Sequence, residues 1–300
     1  MAVLLGRPHT PKVETINDKD ALLSNFWRAL KADPEGIIEW SEWPVLENDL
    51  HARHKWLVEQ LSWLKEKMES DPDFYDVKIA GWWLWGINIW IGSGWCSKRK
   101  SLSKQIPSLS GSSSSIISPP RSRPQLSGNT NKLSSIYRKR PQLTGAGTGI
   151  HSISNRDEDT ITNFMYALSE RIRNIRVCCG DWLRVLGPTP TYLTHGLTGV
   201  FLDPPYPKEE RHEGLYSEDS DDLPWLVKDW ALENGDNPLM RIALCGYEGT
   251  YEMPSSWKEV AWIASAGLSA QNLDRDNQNR YRERIWFSPH CLKTEQLKFL

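Results

Sequence analysis

Residues 198–206, Thr-Gly-Val-Phe-Leu-Asp-Pro-Pro-Tyr, are the stretch that decides the fold of this chain. The apolar Val-Phe-Leu run predicts a short buried strand. Because proline has no N–H to donate to a neighbouring strand, the strand must end before Pro204. Asp203 and Tyr206 are therefore expected at the carboxyl end of a strand, where open α/β sheets bind their ligands.

The four residues after this strand suit the recognition of an exocyclic amino group. The Asp203 carboxylate can accept one N–H of such an amine, and the Pro204 carbonyl can accept the other without competition from an amide at Pro205. Tyr206 offers a flat face for a base that has been swung out of a duplex. A strand-to-loop exit with a turn-forming Pro-Pro is the alternative, and these four residues alone leave both interpretations open.

Two other strand-like runs end at acidic residues. Residues 13–16 alternate like a strand and lead into Asn-Asp at 17 and 18, and residues 175–179 lead into Gly-Asp-Trp at 180–182. Taken alone, Asp18 or Asp20 could cap the next helix, and Asp181 could be a turn residue. An acid just past a strand in a wound sheet also binds the hydroxyl groups of nucleotide-like cofactors.

The motif at 203–206 resembles that of the DNA amino-methyltransferases, in which Asp at the first position usually goes with adenine N6 as the target. The order of motifs, with an early acid and a late Asp-Pro-Pro-Tyr, is similar to that of the Dam-type (alpha) group, and residues 80–83 and 90–95 resemble its phage-like members. The resemblance implies a Rossmann-like α/β fold, with a mostly parallel sheet and helices on both faces. It also implies S-adenosyl-L-methionine as cofactor and the adenine N6 of a flipped-out base in double-stranded DNA as methyl acceptor.

The resemblance also implies roles for individual residues. The catalytic residues would be Asp203, Pro204, Pro205 and Tyr206. The cofactor would be bound by Asp18, Asp181, Trp182 and Asp203. No metal is implied.

One part of the resemblance is missing from the sequence. The group's first motif, an aromatic-x-Gly-x-Gly turn after a strand, does not occur before Val13. We therefore expect a fold that lacks its first central strand, from a truncated reading frame or a degraded gene. The expected consequence is weak binding of S-adenosylmethionine.

A basic, serine-rich segment interrupts the chain. Residues 97–149 contain ten Lys and Arg residues and no Asp or Glu, a composition that cannot bury enough apolar surface to order itself. The positive charge suits a DNA backbone, and a tolerated low-complexity insertion is the alternative. The candidate DNA contacts are Lys98, Arg99, Lys100, Arg138, Lys139 and Arg140. The predicted organisation is a catalytic domain over 1–96 and 151–300, helical over 50–96, with a flexible target-recognition segment at 97–150.

The Gly-rich run at 145–149 is interpreted as a turn, since it neither follows a strand nor opens a helix.

The helix predicted from Val77 to Ile91 carries tryptophans on the faces not taken by its aliphatic stripe, which is typical of a buried helix. Stacking on bases is the other use of such rings, and Trp95 is the expected exception to burial.

Composition and patterning exclude several classes of protein. No apolar run is long enough for a membrane span, and Met1 begins no signal-peptide pattern. The cysteines have no zinc-site spacing and are expected as reduced thiols, which indicates the cytoplasm. The resemblance implies that this is the cytoplasm of a bacterial or phage-infected cell. A monomer is expected, and a cognate restriction endonuclease is a candidate partner. The alternative functions are a cytosine-N4 or RNA adenine methyltransferase, or a non-enzymatic DNA-binding remnant.

Overall fold

The structure is a computed structural model, and it describes residues 2–7, 11–90, 95–96, 159–207, 222–262 and 279–291. The chain divides into two compact units, Met1–Arg184 and Val185–Leu300, and each is described by itself. The boundary falls within the span predicted as one catalytic domain. The basic segment, its six candidate DNA contacts and the Gly-rich run at 145–149 lie outside the described residues.

The first unit contains a two-stranded sheet and several helices. Their bounds are α1 Ala2–Leu5, β1 Thr15–Asp18, α2 Ala21–Ala32, α3 Pro34–Ser41, α4 Glu47–Ser70, α5 Val77–Ile89, α6 Asp159–Ile172 and β2 Arg176–Cys179. The short helix α7, Leu183–Leu186, spans the boundary between the units. Strands β1 and β2 are parallel, with Thr15 opposite Arg176 and Asp18 opposite Cys179.

Side-chain caps explain where α2, α3 and α5 begin. Asp20 accepts N–H bonds from Leu22 and Leu23 at the start of α2, as expected of a helix cap. Asp33 caps α3, which sequence patterning did not predict, and Asp76 caps α5. These caps satisfy N–H groups that have no partner within the helix, so an Asp precedes each apolar run.

The tryptophan-rich helix α5 packs as predicted, although it ends at Ile89 rather than Ile91. Trp85 is 4 % exposed and the other α5 tryptophans are half-buried. Trp95 is not an exception, because its ring lies against Gly86 and its indole N–H donates to the Trp83 carbonyl. Helix α5 crosses α3 at Gly81, where an added Cβ would lie 2.4 Å from the Trp40 Cβ. Only glycine permits that approach.

The second unit is built on a four-stranded sheet in the order β3-β4-β6-β5. The bounds of its elements are a π-helical turn Thr189–Leu193, β3 Thr198–Leu202, α8 Leu223–Gly235, β4 Met240–Tyr247, β5 Lys258–Ala261, α9 Asn279–Arg282 and β6 Glu283–Phe287. Strand β3 is parallel to β4, whereas β6 is antiparallel to both β4 and β5. Helix α8 begins with a proline in its first turn and packs on β4.

The expected single, mostly parallel sheet is not what the structure shows. The described strands form a parallel pair and a separate mixed sheet, so the fold is mixed α/β without a clear Rossmann sheet. The physical reason is that β1 and β3 each pair with one strand only among the described residues. A continuous sheet would need a second strand neighbour for both.

Several local expectations are confirmed, with small shifts in bounds. Strand β3 ends at Leu202, immediately before Asp203 and Pro204. Strand β1 begins two residues later than Val13, so Asp18 is its last residue rather than part of the next turn. The five cysteines are free thiols. In the part of the chain that the structure describes, no helix is long and apolar enough to cross a membrane.

Candidate functional site

The candidate site lies at the carboxyl end of β3, in the second unit. Asp203 is exposed there, whereas Pro204 is buried and Pro205 and Tyr206 are half-buried. The Pro-Pro pair ends the strand because neither residue can donate a ladder hydrogen bond. The four residues predicted as catalytic therefore stand where the sequence placed them.

Tyr206 is held in place by residues from two other strands. Its hydroxyl donates a hydrogen bond of 2.5 Å to Glu283 Oε2. Its ring centroid lies 4.2 Å from that of Tyr247, at 55° between the planes. Tyr247 is the last residue of β4 and Glu283 the first of β6, and antiparallel pairing sets them opposite each other. Strand register thus builds the support for Tyr206 from residues far apart in sequence.

The electrostatics of this site disfavour additional negative charge. Burial raises the pKa of the Tyr206 phenol strongly, and its hydrogen bond to Glu283 and the Asp203 charge act in the same direction. Burial and the Asp203 charge also raise the pKa of Glu283, against the opposing hydrogen bond from Tyr206. Burial also raises the pKa of the Cys245 thiol. A ligand that donates N–H groups suits these surroundings better than an anion does.

Tyr247 and Glu283 are the residues that sequence reasoning missed. Tyr247 ends β4 and Glu283 begins β6, and the sequence patterns considered above assign a role to neither. Arg282 places its guanidinium 5.1 Å from the Tyr247 ring centroid. Arg284 pairs with Glu248 at 2.7 Å and Glu259 at 3.2 Å. The sequence feature that could have identified Tyr247 is its position as an aromatic residue at the end of β4, the next strand after β3.

A second group of predicted residues lies at the carboxyl edge of β1 and β2, in the first unit. Asn17 Nδ2 donates to the Gly180 carbonyl at 3.2 Å, and the Gly180 N–H donates to the Asp18 carbonyl at 3.2 Å. Asp18, Asp181 and Trp182 therefore share one edge. Gly180 has a φ of +127°, a conformation open mainly to glycine, and it permits the turn that carries Asp181.

The carboxylates at this edge are engaged by their own backbone. Asp18 Oδ1 accepts the N–H of residue 20 at 2.8 Å, and Asp181 Oδ1 accepts the N–H of Leu183 at 2.8 Å. Each bond joins residue i to the N–H of residue i+2, the pattern of an Asx turn. Desolvation by surrounding protein raises the pKa of Asp18, and the charge of Asp20 adds to this effect.

Asp203 differs from these two acids in one chemical respect. The residue at position i+2 from Asp203 is Pro205, which has no N–H. An Asx turn like those of Asp18 and Asp181 therefore cannot form at Asp203. The second proline of the motif therefore excludes one local use of the Asp203 carboxylate, the turn-forming bond to the N–H at i+2.

Among the described residues, no group of three or more His, Cys, Asp or Glu side chains is placed to hold a metal ion.

Comparison of the chain with protein-family models, with characterised proteins and with solved structures gives no match. Function is therefore inferred from the residues of the two strand-end sites and their geometry.

Proposed function

We propose that this chain is a DNA methyltransferase that moves a methyl group from S-adenosylmethionine to the N6 atom of adenine in a flipped-out nucleotide. The observation that carries the proposal is the placement of Asp203-Pro204-Pro205-Tyr206 at the carboxyl end of β3, with the Tyr206 ring fixed by Glu283 and Tyr247. The proposed Rossmann-like fold also needs a further parallel strand beside β1 and one beside β3. Both edges lack a second strand among the described residues.

In the proposed reaction, the Asp203 carboxylate and the Pro204 carbonyl each accept one N–H of the adenine amine. These two bonds turn the nitrogen lone pair towards the methyl donor, a contribution of positioning. Tyr206 stacks on the purine while its hydroxyl stays bonded to Glu283.

Bound S-adenosylmethionine would supply an electrophilic methyl group on a sulfonium centre. Transfer to N6 would break the sulfur–carbon bond, whose electron pair would stay on sulfur in the departing neutral thioether. The amine then releases one proton, which the exposed Asp203 carboxylate can accept and pass to water. The reaction requires no covalent bond to the protein.

The acids at the edge of β1 and β2 fit the donor groups of this cofactor. Ribose hydroxyls and the adenine amine are hydrogen-bond donors, and Asp18 and Asp181 present carboxylate acceptors on adjacent strands. Half-buried Trp182 adds an aromatic surface beside them. These residues would hold the cofactor, and the basic residues at 98–100 and 138–140 would contact the DNA backbone.

The test is methyl transfer by the full chain to unmethylated double-stranded DNA, with S-adenosylmethionine at millimolar concentration because weak binding is expected. Digestion to nucleosides and mass spectrometry should show N6-methyldeoxyadenosine. Asp203→Ala should lower the yield at least about a hundredfold, since it removes a charged hydrogen-bond acceptor from the reacting amine. Exposed Glu252 in the same unit supplies the control Glu252→Gln, which should leave the yield unchanged.

The identity of the product separates the alternatives. N4-methyldeoxycytidine, or methylation of RNA in place of DNA, would replace the adenine assignment. DNA binding without any methylated nucleoside would reject the enzymatic proposal in favour of a DNA-binding protein.

A further inference from the structure

Arg53, in the middle of α4, is buried among indole rings. The residue is 7 % exposed, and its guanidinium carbon lies 4.2 Å from the Trp85 ring centroid, 5.0 Å from Trp82 and 5.1 Å from Trp43. Cation–π contacts of this kind stabilise the charge on the faces of the guanidinium. They supply no acceptor for its in-plane N–H groups.

A second cation shares the same ring. The Lys78 Nζ atom lies 4.5 Å from the Trp82 ring centroid, 4.7 Å from Trp56 and 5.4 Å from Trp40. No ion pair within the described ranges joins Arg53 or Lys78 to a carboxylate. We call Arg53, Lys78 and Trp82 the indole–cation cluster; it brings two positive charges to one aromatic ring.

The cluster also contains donors without acceptors. Arg53 Nη1 and Trp82 Nε1 are both buried and have no hydrogen-bond partner in the part of the chain that the structure describes. Leaving such groups unpaired is unfavourable, so buried donors in native proteins almost always meet an acceptor. Burial also lowers the pKa of Arg53, while the nearby Asp49 charge opposes that shift.

Arg28, the other buried arginine of the first unit, shows what a purely structural arginine looks like in this protein. Its Nε donates to the Val177 carbonyl at 3.0 Å, and its Nη2 donates to the Met68 carbonyl at 3.1 Å. Its Nη1 donates to the Asp71 carbonyl at 2.8 Å. Arg28 therefore ties α2 to β2 and to the end of α4 through carbonyl oxygens, whereas Arg53 has no such bond.

We propose that the indole–cation cluster of α4 and α5 binds a phosphate group. A phosphate group would supply negative charge to the two cations, Arg53 and Lys78. Its oxygens would accept hydrogen bonds from the unpaired N–H donors of Arg53 and Trp82. The surrounding indole faces also suit the base of a nucleotide, and Trp43 is 46 % exposed beside Arg53. The same chain carries the acid-free basic segment at 97–149, which favours a polyanion as its partner.

Phosphate could reach the cluster from two sources, a nucleic-acid backbone or a small phosphate compound. Both sources would present the same phosphate oxygens to the cluster, and phosphate binding there does not depend on methyl transfer. The full chain is titrated separately with pyrophosphate and with a single-stranded thymidine oligonucleotide. Tryptophan fluorescence is the readout, because the ligand would lie against indole rings.

Arg53→Met and Lys78→Met are the test variants, and Lys55→Met is the matched control. Lys55 lies on α4 two residues from Arg53, with a 79 % exposed side chain that pairs only loosely with Glu59. The expected result is a saturable fluorescence change in the wild type. Each test variant should weaken binding at least about tenfold, while Lys55→Met should bind like the wild type.

The outcomes decide both the site and the source. A response to the oligonucleotide that depends on Lys78 assigns the site to a nucleic-acid phosphate, and a response to pyrophosphate alone assigns it to a small phosphate compound. Circular dichroism checks folding, and if Arg53→Met fails to fold, Lys78→Met decides alone. No saturable change with either probe, or equal binding by Lys78→Met and Lys55→Met, overturns the proposal.

Discussion

The two strand-end sites of this protein begin alike and differ in the residues beyond the acid. At the edge of β1 and β2, Asp18 and Asp181 each have a backbone N–H at i+2 that bonds to the carboxylate. At the end of β3, Pro205 occupies that position and offers no N–H. The difference teaches that the residue two places beyond an acid decides whether its carboxylate can organise this kind of turn.

The surroundings of the acids differ as well. The β3 site adds Tyr206, Tyr247 and Glu283, which form an aromatic and partly desolvated setting. The β1 and β2 edge is polar and tied together by backbone and amide hydrogen bonds. The first setting suits a flat base that carries an amine, and the second suits hydroxyl and amine donors of a cofactor. Three changes test this contrast.

The largest expected effect is at the turn after β2. Gly180→Ala should lower the free energy of unfolding by about 2 kcal/mol, because a φ of +127° is strained for alanine. An added Cβ would meet nothing closer than Arg184 Nη1 at 3.4 Å, so the effect comes from the backbone. Urea unfolding measures it, with Gly187→Ala as control, since Gly187 has ordinary backbone and its Cβ would lie 3.6 Å from Pro190. Equal losses for both variants would contradict the account.

The next largest effect is expected from a substitution that makes the end of β3 resemble the edge of β1 and β2. Pro205→Ala restores an N–H at i+2 from Asp203, so the carboxylate can form the turn seen at Asp18 and Asp181. The rate of methyl transfer should fall about tenfold, equivalent to about 1.4 kcal/mol. Pro204→Ala, which places the new N–H at i+1, should reduce the rate less. A Pro205→Ala enzyme as fast as the wild type would remove the proposed reason for the second proline.

The smallest effect concerns Glu283. Its pKa is raised, chiefly by burial, from the ordinary value of 4.5, so the folded protein holds this proton more tightly than the unfolded chain does. The corresponding contribution to stability is present below pH 4.5 and is lost as the pH rises through the raised value. Glu283→Gln keeps an oxygen acceptor for Tyr206 but does not titrate, so its unfolding free energy should fall less over that window. Parallel wild-type and variant curves from urea unfolding at several pH values would argue against a desolvated carboxyl here.

Local features of the fold could be predicted from the sequence because their causes are local. Pro204 ends β3, Asp20 caps α2, and the apolar helix α5 packs against α2, α3 and α4. The acid at the end of each of the strands β1 and β2 was visible in the sequence, whereas their shared edge follows only once the two strands are known to pair in parallel.

Features that depend on long-range register could not be predicted in the same way. Glu283 meets Tyr206 only because β6 pairs antiparallel with β4, and nothing near either residue encodes that pairing. The split into two sheets depends equally on which strands find neighbours, and the Arg53 surroundings depend on how α4 and α5 cross. Such contacts join residues far apart in sequence, where periodicity carries no information.

The measurement that tests the central claim most directly is the affinity of the protein for two nucleosides that differ only in the exocyclic amine. Calorimetry should show deoxyadenosine binding at least about tenfold more tightly than purine deoxyriboside, because only deoxyadenosine donates to Asp203 and Pro204. The absence of a phosphate keeps the indole–cation cluster out of the comparison. Asp203→Ala should abolish the difference. Equal affinity of the wild-type protein for both nucleosides would contradict the claim that this strand end recognises an amine.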